Sequence, residues 1–505
     1  MQSHEIVEMA LASSRADGAV VIAGESSTVN LRWANNTLTT NGAARDRSVT
    51  VISVVGRAFG VRSASSVSDR DDLAKLLRLS EADAREAGNA DDYAELLGPD
   101  ADGYTDGYTE VTTSYRSGQP APAAAHAAAQ TTFADPAQRT STGVFAEFAR
   151  DLGDAFEAAR ADGRRLFGFA QHELTTTWLG TSAGLRLRHS QPTGSVEWNA
   201  KSATPGGSVW HGQSTHDFTD VSVPDTDALL RQRLAWAARS VELPAGRYET
   251  LLPPSAVADL LTYAYWSAAG RDAAEGRTVF SRAGGGSRIG ETLGPPGLHL
   301  FSDPFDPELS ATPFVIAASS SATSSVFDNG LPLRRTDWIM DGKLAALVQT
   351  RASARGGALE GQRAGDDRAN ARPQAPSPGA VAVTPFVDNL TLDGGGTASL
   401  EGMIANTSRG LLLTCLWYIR EVDPQILLLT GLTRDGVYLI EDGEVVGAVN
   451  NFRFNESPVD LLGRLTEVGA TVRTLPREWA DWFTLARMPA VRVPDFNMSS
   501  VSPAS

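Results

Sequence analysis

The most direct match to a catalytic motif in this sequence is the glycine-x-serine-x-glycine pattern of Gly180-Thr181-Ser182-Ala183-Gly184. In hydrolases this pattern exposes a nucleophilic serine on a strained turn between a strand and a helix. Here the following residues 185–189 alternate apolar and basic side chains, which predicts a strand instead of a helix. The segment is therefore predicted to be a hairpin turn. A hydrolase that uses Ser182 or Cys415 is the least favoured alternative.

The seven histidines are the next candidates, because zinc sites need imidazole ligands at fixed spacings. His172-Glu173 begins like a zinc-peptidase motif but has Thr176 and Thr177 where a second histidine is needed, and this threonine-rich run predicts a strand. His211 and His216 lie in a polar segment that is predicted to be a solvated loop. No two histidines are spaced three or four residues apart on a predicted helix. A weak metal site at His211 and His216 is the less favoured alternative to the solvated loop.

Composition and charge exclude several classes of protein. The single cysteine, Cys415, lies in an apolar run, which favours an inert buried thiol, and it can form no internal disulfide. A reducing compartment such as the cytoplasm is therefore expected. The 44 basic and 60 acidic side chains give a net charge of −16, which opposes binding to nucleic acid. The first residues lack the pattern of a signal peptide, and the longest apolar stretch is about half a membrane span, so no membrane association is expected.

The elements that must position these residues indicate an α+β fold with a β-rich C-terminal domain. Periodicity and composition predict an N-terminal α/β region of two subdomains with mainly antiparallel sheets, at 1–98 and 143–242. A linker-like segment, 99–142, joins them. The C-terminal domain is predicted over 243–475 with a mobile polar loop at 352–380, and a tail follows at 476–505.

The C-terminal domain is predicted to begin with a strand at Tyr248–Leu252, followed by Pro253-Pro254. An apolar helix is then predicted from Ser255 to Ala274. A further strand is expected over Leu411–Ile419. The sequence Glu441-Asp442-Gly443 is typical of a hairpin turn between two strands.

Several of these stretches resemble the TldD/PmbA (TldE) family of metallopeptidase-related proteins, once called modulators of DNA gyrase. The similar stretches occur in the family's order: the strand-proline-helix segment from Tyr248, then Val326–Thr336, Asp341–Leu344, Asp388–Thr414 and Val437–Val445. The N-terminal hairpin at Val49–Val61 fits the family's first domain more loosely. The resemblance thus covers most of the chain and rests on many short segments together.

The resemblance implies that this chain is the TldE-like kind of subunit. TldD-like chains carry His-Glu-x-x-x-His on the helix after the proline, where two histidines hold zinc and the glutamate is the general base. An ungapped register places Thr262, Tyr263 and Ser267 at those three positions, and the helix contains no histidine. We therefore expect no catalytic residue, no metal and no cofactor in this chain, with zinc bound by a TldD-like partner.

The implied function is that of a non-catalytic subunit of a heterodimeric zinc metallopeptidase that cleaves unfolded peptides. Whether the chain is itself an enzyme stays open. Phe327, Asp328, Arg334 and Cys415 are the candidates for lining a peptide cleft or a subunit interface. The alternative hypothesis is a homodimeric peptide-binding or scaffold protein without a role in proteolysis.

Overall fold

The computed structural model describes residues 1–67, 69–99, 122–202, 207–355 and 381–502. These residues form the predicted α+β fold, with an antiparallel sheet of six strands and a mixed sheet of fourteen. None of the described helices combines the length and the apolar character that crossing a bilayer requires. The helices are α1 (Ser3–Ser13), α2 (Arg70–Glu86), α3 (Pro122–Thr131), α4 (Ala146–Ala161), α5 (Val223–Trp236), α6 (Pro254–Trp266), α7 (Gly270–Ala274), α8 (Leu400–Ala405) and α9 (Pro458–Gly463).

The first sheet has the strand order β3-β2-β1-β4-β5-β6, and every neighbouring pair is antiparallel. The two predicted N-terminal subdomains contribute three strands each, so they share one continuous sheet. Within each half of the sheet, strands that are consecutive in the chain are neighbours, because hairpins with short turns such as Gly56-Arg57 join them. The strands are β1 (Gly18–Ala34), β2 (Thr37–Val55), β3 (Ala58–Ala64), β4 (Arg165–Thr181), β5 (Arg186–Lys201) and β6 (Ser208–Thr215).

The second sheet follows the path β11-β10-β9-β12-β20-β8-β13-β16-β17-β7, and β14, β15, β18 and β19 branch from it at β20. Its strands are β7 (Ser240–Val241), β8 (Gly246–Leu252), β9 (His299–Ser302), β10 (Thr336–Met340), β11 (Lys343–Leu344), β12 (Leu390–Asp393), β13 (Arg409–Leu413), β14 (Leu416–Asp423), β15 (Leu428–Thr433), β16 (Val437–Glu441), β17 (Glu444–Val449), β18 (Phe452–Glu456), β19 (Glu467–Thr474) and β20 (Ala486–Val501).

The segment 476–505, expected to be a tail, instead supplies a central strand of this sheet. β20 pairs with β8, β12, β18 and β19. Its residues Met488 to Val493 are all buried, because the strand has neighbours on both edges and layers on both faces. The C-terminal domain therefore extends beyond its predicted end at residue 475.

The apolar helix expected from Ser255 to Ala274 is two helices, α6 and α7. The hydroxyl and the backbone N–H of Ser267 both donate to the carbonyl oxygen of Tyr263, at 3.0 and 3.1 Å, and end α6. The backbone N–H of Gly270 donates to the carbonyl oxygen of Val348 at 2.9 Å, so it bonds to a distant segment instead of continuing the hydrogen bonds of α6. The prediction of one strand over Leu411–Ile419 was also wrong in its extent. β13 ends at Leu413 and pairs with β16, whereas β14 begins at Leu416 and pairs with β15.

The predicted linker 99–142 includes a packed helix. Its residues 122–131 form α3, whose His126 is buried, with its Nε2 atom 3.1 Å from the carbonyl oxygen of Gly330. Residues 100–121 of the linker, and residues 356–380 of the loop expected at 352–380, lie outside the described part of the chain.

The two sheets share a hydrophobic core. Helices α4 and α5 pack between them, and the cluster that includes Leu152 and Leu230 also contains Leu412 and Tyr438 of the second sheet. Helix α6 packs in a second cluster of the C-terminal domain together with β20, as the contacts around Leu261 and Val491 show. The first sheet is therefore held directly against the C-terminal domain.

Candidate functional site

Helix α6 carries the positions at which the family resemblance expects zinc ligands. Thr262 is fully buried and Tyr263 is half-buried on this helix, whereas Ser267 caps its C-terminal end. Ser267 still donates its backbone N–H to the carbonyl oxygen of Tyr263 at 3.1 Å, so all three positions lie on the last turns of one helix.

The residues 475–485 between β19 and β20, here called the tryptophan loop, cover this part of α6. The backbone N–H of Glu478 donates to Asp259 Oδ1 at 2.8 Å, and the indole N–H of Trp479 donates to the carbonyl oxygen of Asp259 at 2.8 Å. The ring of Trp479 lies 5.6 Å from that of Tyr263 and 5.1 Å from that of Trp266. The loop therefore encloses the helix where a metal cleft would have to open.

Asp259 is the acidic residue of this enclosed surface. It is fully buried, and burial raises its pKa well above the ordinary value for a carboxyl group, while the hydrogen bond from the Glu478 backbone N–H and the charge of Arg477 oppose part of the rise. Its Oδ2 atom and the hydroxyl of Thr262 have no hydrogen-bond partner among the described residues. A carboxyl group in this setting favours its protonated form, which is a poor metal ligand.

Cys415 lies near the same helix, in the break between β13 and β14. The residue is 2% exposed, and burial raises the pKa of its thiol above the ordinary value, with Asp259 and Arg477 close enough to influence it electrostatically. Its Sγ atom is a weak donor to the carbonyl oxygen of Leu416 at 3.7 Å. This environment is that of an inert thiol, as the apolar run predicted.

The residues around α6 do not fit a zinc ion. Zinc in proteins is held by imidazole, thiolate and carboxylate groups that have lost their protons. Here Thr262 and Tyr263 offer hydroxyl groups, and the raised pKa values of Asp259 and Cys415 favour the protonated acid and thiol. Over the residues that the structure describes, no group of three histidine, cysteine, aspartate or glutamate side chains is arranged to hold a metal.

Phe327 and Asp328, two of the predicted cleft residues, lie instead at the junction with the first sheet. The ring of Phe327 makes edge contacts with Phe59 and Tyr93, at 5.7 and 5.2 Å between centroids. Asp328 accepts from the Nε and the backbone N–H of Arg351 at 2.8 and 3.1 Å, and both side chains are almost fully buried. Burial raises the pKa of Asp328, while the Arg351 guanidinium opposes part of that rise.

Arg334 lies half-buried in the segment that leads to β10. The four predicted cleft residues are thus not one cluster: Cys415 lies near α6, whereas Phe327 and Asp328 join the C-terminal domain to the first sheet. A role for any of them in a cleft or a subunit interface stays a prediction.

The hydrolase-like motif forms a hairpin turn between β4 and β5, as predicted. The hydroxyl of Ser182 accepts from the backbone N–H of Ala19 at 3.0 Å, and its own N–H donates to the carbonyl oxygen of Ala19 at 2.8 Å. His172 lies in β4, also as predicted, with its ring between the Thr140 hydroxyl and the carbonyl oxygen of His216, both at 2.7 Å. These groups tie strands and loops together.

The prediction of a solvated loop around His211 was wrong. His211 lies within β6, where burial, together with a smaller effect of the Arg233 charge, lowers the pKa of its imidazole to about 3. His216 follows the end of β6, and its Nε2 atom lies 3.0 Å from the carbonyl oxygen of Glu308. The polar side chains of 211–215 concealed a strand, β6, which pairs with β5 in the first sheet.

Three features of this region were missed in the sequence. Asp259 was detectable as the single charged residue of the apolar helix α6. Trp479 and Trp482 were visible but were assigned to a tail. Arg477 follows Pro476 without any motif, so its position beside α6 depends on the tertiary fold alone.

Comparisons with known proteins match both parts of the chain. The sequence model of the PmbA/TldA metallopeptidase C-terminal domain matches residues 245–500, and that of the PmbA/TldA metallopeptidase domain 1 matches residues 19–84. No curated protein matches the sequence. The first of these matches includes β20, so the segment predicted to be a tail is part of the family's C-terminal domain.

Solved structures share the fold along the whole chain. TldE from Thermococcus kodakarensis is 16% identical, with a TM-score of 0.72 and 98% of each chain covered. A protein described as a modulator of DNA gyrase from Thermotoga maritima is 17% identical, with a TM-score of 0.69 and coverage of 98% of this chain and 99% of that one. A similarly described protein from Bacteroides thetaiotaomicron is 13% identical, with a TM-score of 0.70 and coverage of 99% and 98%.

Proposed function

Because the chain belongs to the PmbA/TldA metallopeptidase family, we propose that it is a non-catalytic subunit of a zinc peptidase. It pairs with a relative that carries His-Glu-x-x-x-His, and the two subunits together accept unfolded peptides. The zinc belongs to the partner, and the cytoplasmic location expected from the single cysteine suits the pair.

One observation carries the proposal. The helix that would hold the zinc pair has Thr262 and Tyr263 at the critical positions, and the tryptophan loop covers it through Asp259. A peptidase of this type needs two imidazole ligands and an ionised general base on the helix. Hydroxyl groups and a buried carboxyl group of raised pKa supply neither, which supports a role in shaping the peptidase without performing its chemistry.

The test is reconstitution with a partner. The chain is co-expressed with a family relative that bears the complete zinc motif, and zinc content and cleavage of an unfolded peptide are measured for each chain alone and for the pair. We expect zinc in proportion to the partner only, and cleavage that requires both chains. Cleavage by the partner that is equal in the absence of this chain would falsify the proposal.

A second candidate is a homodimeric peptide-binding or scaffold protein. It is favoured by exposed apolar side chains on the C-terminal domain: Tyr418 is 53% exposed, Val422 58%, Ile426 53% and Trp482 72%. Surface patches of this kind often mark interaction sites. Light scattering distinguishes the two candidates, because a stable homodimer that excludes the zinc-bearing relative supports the scaffold and contradicts the peptidase subunit.

A further inference from the structure

Asp388 lies in the short segment that leads into β12, and its two neighbours anchor that segment. The backbone N–H of Val387 donates to the hydroxyl of Tyr265 on α6 at 2.9 Å. The side-chain amide of Asn389 donates to the carbonyl oxygen of Asp303 at 2.6 Å. Val387 and Asn389 are both buried, whereas Asp388 between them is exposed. The fold thus fixes the backbone on both sides of Asp388 and leaves its carboxylate accessible.

Asp388 lines a partly enclosed pocket of about 170 Å³. The pocket is smaller than the roughly 300–1,000 Å³ of sites that hold a whole ligand, so its size suits one side chain or one end of a chain. Apolar side chains and hydroxyl-bearing residues form the rest of its wall, among them Phe314, Phe386 and Thr312. The pocket therefore offers one accessible carboxylate beside apolar surface.

The charge of Asp388 is not neutralised within the part of the chain that the structure describes. Its carboxylate has no hydrogen-bond or ion-pair partner there, whereas the other aspartate of the pocket, Asp328, is paired with Arg351. Although Asp388 is exposed to the pocket, the protein around it raises its pKa by displacing water, and no described cation opposes that rise. An accessible carboxylate in such a concave setting attracts a cation more strongly than one on an open surface, because less water screens it.

We propose that Asp388 and the pocket around it form a subsite for a cationic group of a bound peptide. The carboxylate accepts charge-assisted hydrogen bonds from an ammonium or guanidinium group. The aromatic rings of Phe314 and Phe386 contact the methylene groups beside that cation. This inference rests on the proposed function, because it supplies the group by which the subunit holds a peptide.

Two sources offer the same cation: the N-terminal amine of a peptide, or a lysine or arginine side chain. Calorimetric titration of the purified chain with three peptides of one apolar sequence, all amidated at the C-terminus, separates them. The first peptide has a free N-terminal amine, the second an acetylated N-terminus, and the third an acetylated N-terminus followed by an added lysine. We expect one or both cationic peptides to bind about tenfold or more tightly than the uncharged one.

The pattern of binding identifies the source of the cation. Tighter binding of the first peptide alone assigns the N-terminal amine, tighter binding of the third alone assigns the side chain, and tighter binding of both assigns either cation. Equal affinity for all three peptides, or no measurable binding of any of them, overturns the proposal. This comparison uses the unaltered chain, so it does not depend on whether a variant folds.

Variants separate the subsite from the general attraction that a chain of net charge −16 exerts on cations. Asp388→Asn removes the charge at nearly constant size and should abolish the preference for the cationic peptides, whereas Asp388→Glu keeps the charge and should retain part of it. Asp442→Asn is the matched control, because it removes the same charge at an exposed hairpin turn whose backbone suits asparagine, and it should change nothing. A preference that persists in Asp388→Asn contradicts the subsite.

The outcome can be separated from that of the proposed function. Asp388→Asn is also tested for pairing with the zinc-bearing relative. Intact pairing with loss of the preference for cationic peptides supports the subsite, whereas intact pairing with an unchanged preference refutes it. Failure of even the unaltered chain to pair contradicts the peptidase subunit, and the peptide titration of the isolated chain still decides the subsite.

Discussion

Removing one partner of the buried Asp328–Arg351 ion pair should destabilise the junction between the first sheet and the C-terminal domain. The two side chains are 3% and 4% exposed, and Arg351 also donates to the carbonyl oxygens of Glu95, at 3.0 Å, and of Phe327. Asp328→Ala therefore leaves a guanidinium group in the interior without its counter-charge. Because Glu95 belongs to the N-terminal region, the loss acts on the contact between the two parts of the chain.

The magnitude follows from the cost of an uncompensated buried charge. Breaking a buried pair by removing one partner typically costs about 3–5 kcal/mol, so Asp328→Ala and Arg351→Met should each reduce the free energy of unfolding by about that amount. The double variant buries neither charge. Its loss in the free energy of unfolding should be no larger than that of about one single variant. This difference from the sum of the two single losses corresponds to a coupling energy of about 3 kcal/mol or more.

The assay is urea denaturation, monitored by circular dichroism, of the unaltered chain, the two single variants and the double variant. The matched control is the ion pair of Glu8 and Arg186, at 2.7 Å, whose side chains are 50% and 25% exposed. Water screens an exposed pair, so Glu8→Ala should cost less than about 1 kcal/mol. The contrast between the two pairs isolates the effect of burial.

Additivity would refute this reasoning. If the double variant of Asp328 and Arg351 loses the sum of the two single losses, the side chains act independently, and the ion pair is not what holds the junction. A loss in Asp328→Ala as small as that in Glu8→Ala would lead to the same conclusion.

Three further outcomes are expected. Cys415 should react with a thiol reagent only after denaturation, because it is 2% exposed and its pKa is raised by burial; rapid labelling of the native chain would contradict this. Asp259 has a folded-state pKa raised by burial, so the folded state retains a proton that the unfolded state releases. Stability should therefore fall as pH rises above the ordinary carboxyl value, and Asp259→Asn should make urea midpoints less dependent on pH above that value. Trp479→Ala should cost about 3–5 kcal/mol because Trp479 is 7% exposed, whereas Trp482→Ala, at 72% exposed, should change the unfolding free energy by about 0.5 kcal/mol or less.

Features that depend on a few neighbouring residues were predictable from the sequence. The turn at Asp442-Gly443 has positive φ angles of 50° and 82°, which is the two-residue hairpin geometry that this residue pair favours. The turn at Gly180–Gly184 was recognisable in the same way, because strand alternation follows it. The absence of histidine from α6 also needs no tertiary information, since it is a property of the residues themselves.

Features that depend on distant residues were not predictable. The helix expected from Ser255 to Ala274 breaks because Val348, far along the chain, accepts the hydrogen bond of Gly270. His211 lies in a strand because β6 pairs with β5, where Trp198 lies opposite it. The contact between the tryptophan loop and Asp259 of α6 joins segments separated by more than two hundred residues, and neither segment predicts the other.

The position of β20 in the large sheet has a consequence for how the chain is made. Strand β8 ends at Leu252, but the strand that lies beside it in the sheet starts at Ala486. At ribosomal rates of about 5–20 residues per second, β8 waits on the order of 10–50 s for this neighbour. During that interval an apolar edge stays open to other nascent chains, so correct assembly depends on protection of the unfinished sheet until β20 is inserted.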